Sequence, residues 1–210
     1  MIMNKSLFSY NIDIRKNAYL NWRTHRNSPT HNLSVLAEGY ADGALALIDT
    51  VLQDNTDKKA DALIWPILFL IDHSIELYIK TILRLIEEQD GSSNSQYKSH
   101  DISELLNRLI KTIKKTEKGA PDLEEHLKPV TDYINELCNK IKTKNSKGRD
   151  VVHMEFARYP FDIEDIPYFY IKDTGNVTID MENLRSIFKS INESLDALCS
   201  IYEDRFEDYV

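Results

Sequence analysis

Three short segments of this 210-residue chain hold side chains able to move a proton or meet a negative charge. The first is His73-Ser-Ile-Glu76-Leu-Tyr-Ile-Lys80, with acid and base four apart and the acid first, the favoured order for a helical ion pair. The second is His100-Asp101-Ile102, which reads as a helix start. The third runs from Arg149 through His153 to Arg158-Tyr159-Pro160. An imidazole titrates near neutrality, so His153 suits a general base, and Arg149 or Arg158 suits the stabilisation of a developing anion. Each segment also has a plain structural reading. The Glu76–Lys80 pair can be a solvated face with one salt bridge, Asp101 can be a helix cap, and the basic residues can be a polar loop.

Other chemistries lack their sequence signals. The chain has no glycine-rich phosphate loop, no serine elbow, no cysteine pairs at zinc spacing and no His-Glu-x-x-His. No metal site and no cofactor are expected. The net charge of −8 argues against a surface coated for nucleic acid. A local basic strip survives that argument: Lys140, Lys142, Lys144, Lys147 and Arg149 follow one another with no intervening acid. A helix end complementing its own dipole accounts for part of that strip.

The elements that must position these residues read as helices. Apolar residues make up 42% and charged residues 29%, which fits a globular chain, and 6 Gly with 6 Pro are too few for an all-β fold of many tight turns. Apolar periodicity predicts helices over about 32–53, 58–89, 101–117, 121–144 and 181–205. Gly39 and Gly43, four apart, suit the close approach of a neighbouring helix. Pro66 predicts a kink or break in the second and most apolar helix. On that helix Asp72, His73, Glu76, Lys80, Arg84 and Glu87 share one side. The stretch 168–179 reads as a hairpin, with an aromatic strand over 168–172 and a return strand over 177–179. The fold class is therefore all-α, about five helices with a small β-hairpin before the last.

Residues 1–31 stand apart as a basic arm whose aromatics, Phe8, Tyr10, Tyr19 and Trp22, suggest packing onto something; residues 32–210 form the helical domain. Cys138 and Cys199 sit on apolar helical stripes and read as reduced core thiols. The first residues lack the pattern of a secretion signal, and the longest apolar run, Ala62 to Ile71, is about half of a bilayer span. A cytoplasmic location without membrane contact is the expectation.

In this order and on this helical pattern, the His-x-x-Glu-x-x-x-Lys helix, the His-Asp helix start and the Arg-Tyr-Pro turn resemble the HEPN superfamily. These are helical-bundle proteins of toxin–antitoxin, abortive-infection (phage-defence) and RNA-processing systems. The resemblance covers roughly residues 32–205 and implies an up-and-down bundle, a homodimer, and in active members metal-independent RNA cleavage. It implies His153 and Arg149 as catalytic residues, and Arg158, Lys80, Lys144 and Lys147 as contacts to RNA or a nucleotide. An antitoxin or other protein partner follows from the same resemblance, as does the alternative of a non-catalytic binding domain. Active members separate the Arg and His by more residues than the three found here between Arg149 and His153.

Overall fold

The structure, a computed structural model, describes residues 6–91, 97–116, 121–144, 148, 150–152, 154–162, 164–172 and 175–207. Among them the helices are α1 (Pro29–Gln53), α2 (Ala60–Gln89), α3 (Ile102–Thr116), α4 (Pro121–Ile141), α5 (Phe169–Lys172) and α6 (Met181–Glu207). Two strands, β1 (Thr143–Lys144) and β2 (Asp150–Val151), pair antiparallel with Thr143 opposite Val151. Single turns of 3-10 helix lie at Ile14–Lys16 and Met154–Ala157. The all-α expectation holds.

Helix α2 organises the rest because almost every residue from Ile67 to Ile86 is buried. Its broadest contact is with α1, followed by α6 and α3, while α4 packs on α6 and α3. Ala37, Ala41, Ala44, Ile48 and Val51 recur at three- and four-residue steps and give α1 a narrow, close-fitting face. Leu184, Phe188, Ile191, Leu195, Leu198 and Tyr202 do the same for α6. By length and composition α2 could cross a bilayer; in the fold 56% of its most apolar stretch is buried inside the protein.

A second, smaller cluster lies at the α4–β1 end, where Leu68, Ile141, Phe156 and Tyr168 are buried together. It pins the irregular segment after β2 against α2, and Tyr170 reinforces it by donating its hydroxyl to the carbonyls of Phe156 and Tyr159.

Three sequence expectations change. Of the kink or break expected at Pro66, the break does not occur: helix α2 continues through this exposed residue near the helix start. A proline inside a helix costs about 3 kcal/mol, and burial of Ile67, Leu68, Ile71 and Ile75 just beyond it offsets that loss. The hairpin expected over 168–179 is replaced: Phe169–Lys172 is a helical turn, and the described residues 175–180 carry no strand. An isolated hairpin is marginal in water, whereas this turn buries Tyr168 and sets Tyr170 4.4 Å from the Trp65 ring. Finally, the two glycines differ: a Cβ at Gly43 would lie 3.7 Å from Leu70 Cδ1 of α2, the close approach anticipated, whereas at Gly39 no neighbouring element among the described residues comes within 4 Å.

Ile75, Ile79, Ile82 and Leu83 are fully buried as their spacing predicts, while Phe69 is only half-buried. Leu83→Ala should cost about 2–5 kcal/mol in urea unfolding, because a well-packed helix junction collapses poorly around a cavity. A loss below about 0.5 kcal/mol would contradict this packing.

Candidate functional site

The polar side of α2 is not a solvated face. Asp72, Glu76 and Lys80 are 8%, 7% and 8% exposed, covered by neighbouring elements. A carboxylate placed there needs donors, and Glu76 has them. Lys80 Nζ donates to Oε1 at 2.7 Å, and His100 Nδ1 lies 2.9 Å from the same oxygen. His73 Nδ1 stands 3.6 Å from Oε2, close enough for charge attraction and long for a hydrogen bond. Burial pushes the Glu76 carboxyl upward; His73, Lys80 and His100 together overcome it and hold the group at about 2.

His100 reaches Glu76 because a cap holds it there. Asp101 Oδ1 accepts from the backbone N–H groups of Ser103 and Glu104 at 2.9 and 3.2 Å, which starts α3 at Ile102. Ser99 accepts from the Asp101 N–H and donates to Glu104, closing the cap from the other side. Ile102 is buried just after it. His100 is thus fixed at the helix entrance with its ring mostly in solvent. Since Glu76 is ionised and can only accept, Nδ1 of His100 must donate. In the neutral ring Nε2 then carries the lone pair and faces away from the carboxylate.

The neighbouring acid behaves differently. Asp72 Oδ1 accepts from the Tyr133 hydroxyl at 2.8 Å, whereas the buried Oδ2 has no hydrogen-bond partner among the described residues. Burial pushes the Asp72 carboxyl up to about 7, with the Tyr133 hydrogen bond pulling the other way. Two acids one helical turn apart are therefore shifted in opposite directions: Glu76 is surrounded by cationic and N–H groups, and Asp72 has a single hydroxyl.

A cavity of about 370 Å³ opens over these residues. Phe69, Asp72, His73 and Glu76 of α2 form its floor, Ser99 to Ile102 one wall, and Val152, Glu155 and Arg158 the other. His73 is stacked nearly parallel to Phe69, at 5.7 Å between ring centres, and meets Tyr40 edge-on at 4.5 Å. Arg158 follows the 3-10 turn anchored by buried Phe156; its guanidinium is 5.8 Å from the Phe69 ring and 3.8 Å from the Glu155 carboxylate.

The three segments singled out in the sequence converge here through His73 and Glu76, His100 and Asp101, and Arg158. Lys80 does not line the cavity; its ammonium is buried against Glu76, so it fixes the acid and leaves a ligand to other groups. Lys144 is exposed on β1, outside the lining. Lys147, Arg149 and His153 lie outside the described residues. The His100–Glu76 pair and the buried Asp72 were not assigned roles from sequence. The signal was present, an acid on the most apolar helix four residues before a lysine, and reading it as solvent-facing concealed it. Among the described residues no group of three or more His, Cys, Asp and Glu is placed to hold a metal ion. Compared with known protein families, characterised proteins and solved structures, the chain matches none.

Asp72 gives the site a pH signature. Its native value lies above the ordinary one of about 3.9, so the folded state holds the proton longer than the unfolded chain. Stability from this group is complete below about pH 4 and is lost as pH rises toward the native value of about 7. Asp72→Asn keeps an acceptor for Tyr133 and removes that loss. It should stabilise by on the order of 1–3 kcal/mol more near pH 8 than near pH 5, read by urea unfolding at both. Equal effects at the two pH values would show that Asp72 ionises normally.

Proposed function

We propose that this chain is a HEPN-like, up-and-down helical bundle of RNA metabolism or phage defence, working as a homodimer and cleaving RNA without a metal. The observation that supports the reading is the His100–Glu76 pair facing Arg158 across one cavity. Nε2 of His100 takes the proton of a ribose 2′-hydroxyl while Glu76 holds the ring and stabilises its charge. The 2′-oxygen attacks the adjacent phosphorus, the bond to the 5′-oxygen breaks to leave a 2′,3′-cyclic phosphate, and that oxygen takes its proton from solvent water. Arg158 neutralises the charge that grows on the phosphoryl oxygens, and Arg149 and His153, as the resemblance implies, complete the set. Cytoplasmic location and an antitoxin or other protein partner belong to the same reading.

A second reading, binding of RNA or a nucleotide without cleavage, is favoured by the Phe69–His73 stack and by the acids of the lining. The rings offer a base a flat face. Asp101 and Glu155 beside Arg158 dilute the positive charge that a cleaved phosphate needs.

Incubation with RNA in the presence of EDTA tests both. Cleavage by the wild-type chain should fall roughly 100-fold or more in His100→Ala, Arg158→Ala, His153→Ala and Arg149→Ala. Glu76→Gln should lower it as well, with a displaced pH profile, since the ring loses its charged partner. If no variant and no wild-type chain cuts, yet RNA or a nucleotide binds and His73→Ala weakens that binding, the second reading stands. Neither cleavage nor binding would refute both.

A further inference from the structure

The arm of residues 6–28 is the most conspicuous surface that the cavity leaves unexplained. It does not pack on its own domain: Leu7, Phe8, Ile12, Leu20 and Trp22 are 88%, 82%, 93%, 83% and 78% exposed, with Tyr10 and Ile14 at 62%. So many large apolar side chains on one short segment mark an interface. Nor is the arm a shapeless tail. Asn17 bridges both backbone groups of Asn11, and Asp13 caps the 3-10 turn at Ile14. At the other end the Asn32 amide grips both backbone groups of His25. A segment already shaped in this way loses less freedom on docking.

Its charge is opposite to that of the rest of the chain. Arg15, Lys16, Arg23 and Arg26 face a single acid, Asp13, within a chain of net charge −8. Arg23 and Arg26 make no ion pair with a described residue. The outer side of α1 offers the complement. Glu38 and Asp42 are exposed on it, and burial raises the Tyr78 hydroxyl with a further push from Asp196 of α6, Glu38 and Asp42, which places the three acids near one another. Gly39, between them in sequence, is exposed and has no neighbouring element among the described residues within 4 Å of the place a Cβ would occupy.

We infer that the arm of one copy docks on the acidic outer face of α1 of a second copy, in a reciprocal two-fold exchange. The aliphatic share of the arm, Leu7, Ile12, Ile14 and Leu20, selects protein over RNA as the occupant, because single-stranded RNA is held by stacking on aromatic rings and by cations. The area suits a stable pair. The exposed side chains amount to roughly 1,000 Å² per arm on the usual scale for large residues. Exchange doubles that to about 2,000 Å², the size of a standard or larger interface. The inference gives a physical route to the homodimer proposed above and rests on none of the cavity chemistry.

Light scattering on the full chain at micromolar concentration should return about twice the chain mass of 24.4 kDa. Arg23→Glu/Arg26→Glu in the arm, and Glu38→Lys/Asp42→Lys on α1, should each weaken dimerisation at least tenfold, with thermal unfolding of the domain little changed. Mixing the two double variants should restore a heterodimer, the signature of one charge pattern meeting the other between copies. Ile12→Asp/Leu20→Asp should abolish the dimer outright. A wild-type monomer would overturn both the dimer and the exchange. A dimer indifferent to all these changes would keep the dimer and overturn the exchange. Arm variants that remain dimeric but lose RNA binding would overturn it in favour of RNA on the arm.

Discussion

A carboxylate held ionised inside the helical core is the constraint on which the site depends. Glu76 sits on the most buried helix of the protein, where an unpaired charge is very costly. Its own helix supplies Lys80 and His73, and the third donor, His100, comes from the entrance of α3. That last contact requires α3 to begin where it does, which the Ser99–Asp101 cap ensures, and to lie alongside α2, which Ile102 and Leu105 secure by burial. Local capping, helix packing and the polarity of the cavity are thus one arrangement viewed at three scales.

The same arrangement separates two acids chemically. Glu76 and Asp72 share a helix face and a similar burial, and differ in their donors. Three nitrogens keep one ionised; one phenol leaves the other near neutrality with an orphaned oxygen. Pairs of titratable groups driven apart in this way are a feature of sites that handle protons. Arg158 enters from a segment with little regular structure, and the small Phe156–Tyr168 cluster gives that segment its position against α2. The catalytic reading draws on the first two features and the binding reading on the aromatic floor; both use the same space.

Outside the cavity the molecule is divided by charge and apolarity. A basic, apolar arm stays in solvent, while α1 exposes Glu38 and Asp42. The glycines of α1 look, in sequence, like a helix–helix contact, and the arm looks like something that packs. The single chain meets the first at Gly43, which approaches Leu70 of α2, and leaves Gly39 and the large apolar side chains of the arm exposed, the surfaces on which the inferred exchange rests.

How far sequence reaches follows from the range of the forces involved. Helical periodicity is local, so the bounds of α1 to α4 and α6 are legible within a few residues, as is the burial of Ile75, Ile79, Ile82 and Leu83 on α2. The cap at Asp101 and the Glu76–Lys80 pair were legible for the same reason, each being made within four residues. What lies over a helix face is not local. The polar side of α2 reads as solvated until α3 and the turn after β2 cover it, and only then do Glu76 and Asp72 acquire their opposite shifts. The aromatic run at 168–172 has the composition of a strand and forms a helical turn because Tyr168 and Tyr170 pack against Leu68 and Trp65, far earlier in the chain. Sequence determined the elements and the residues capable of chemistry; tertiary burial decided which of them meet and in what charge state, because desolvation depends on everything around a group and not on its neighbours in the chain.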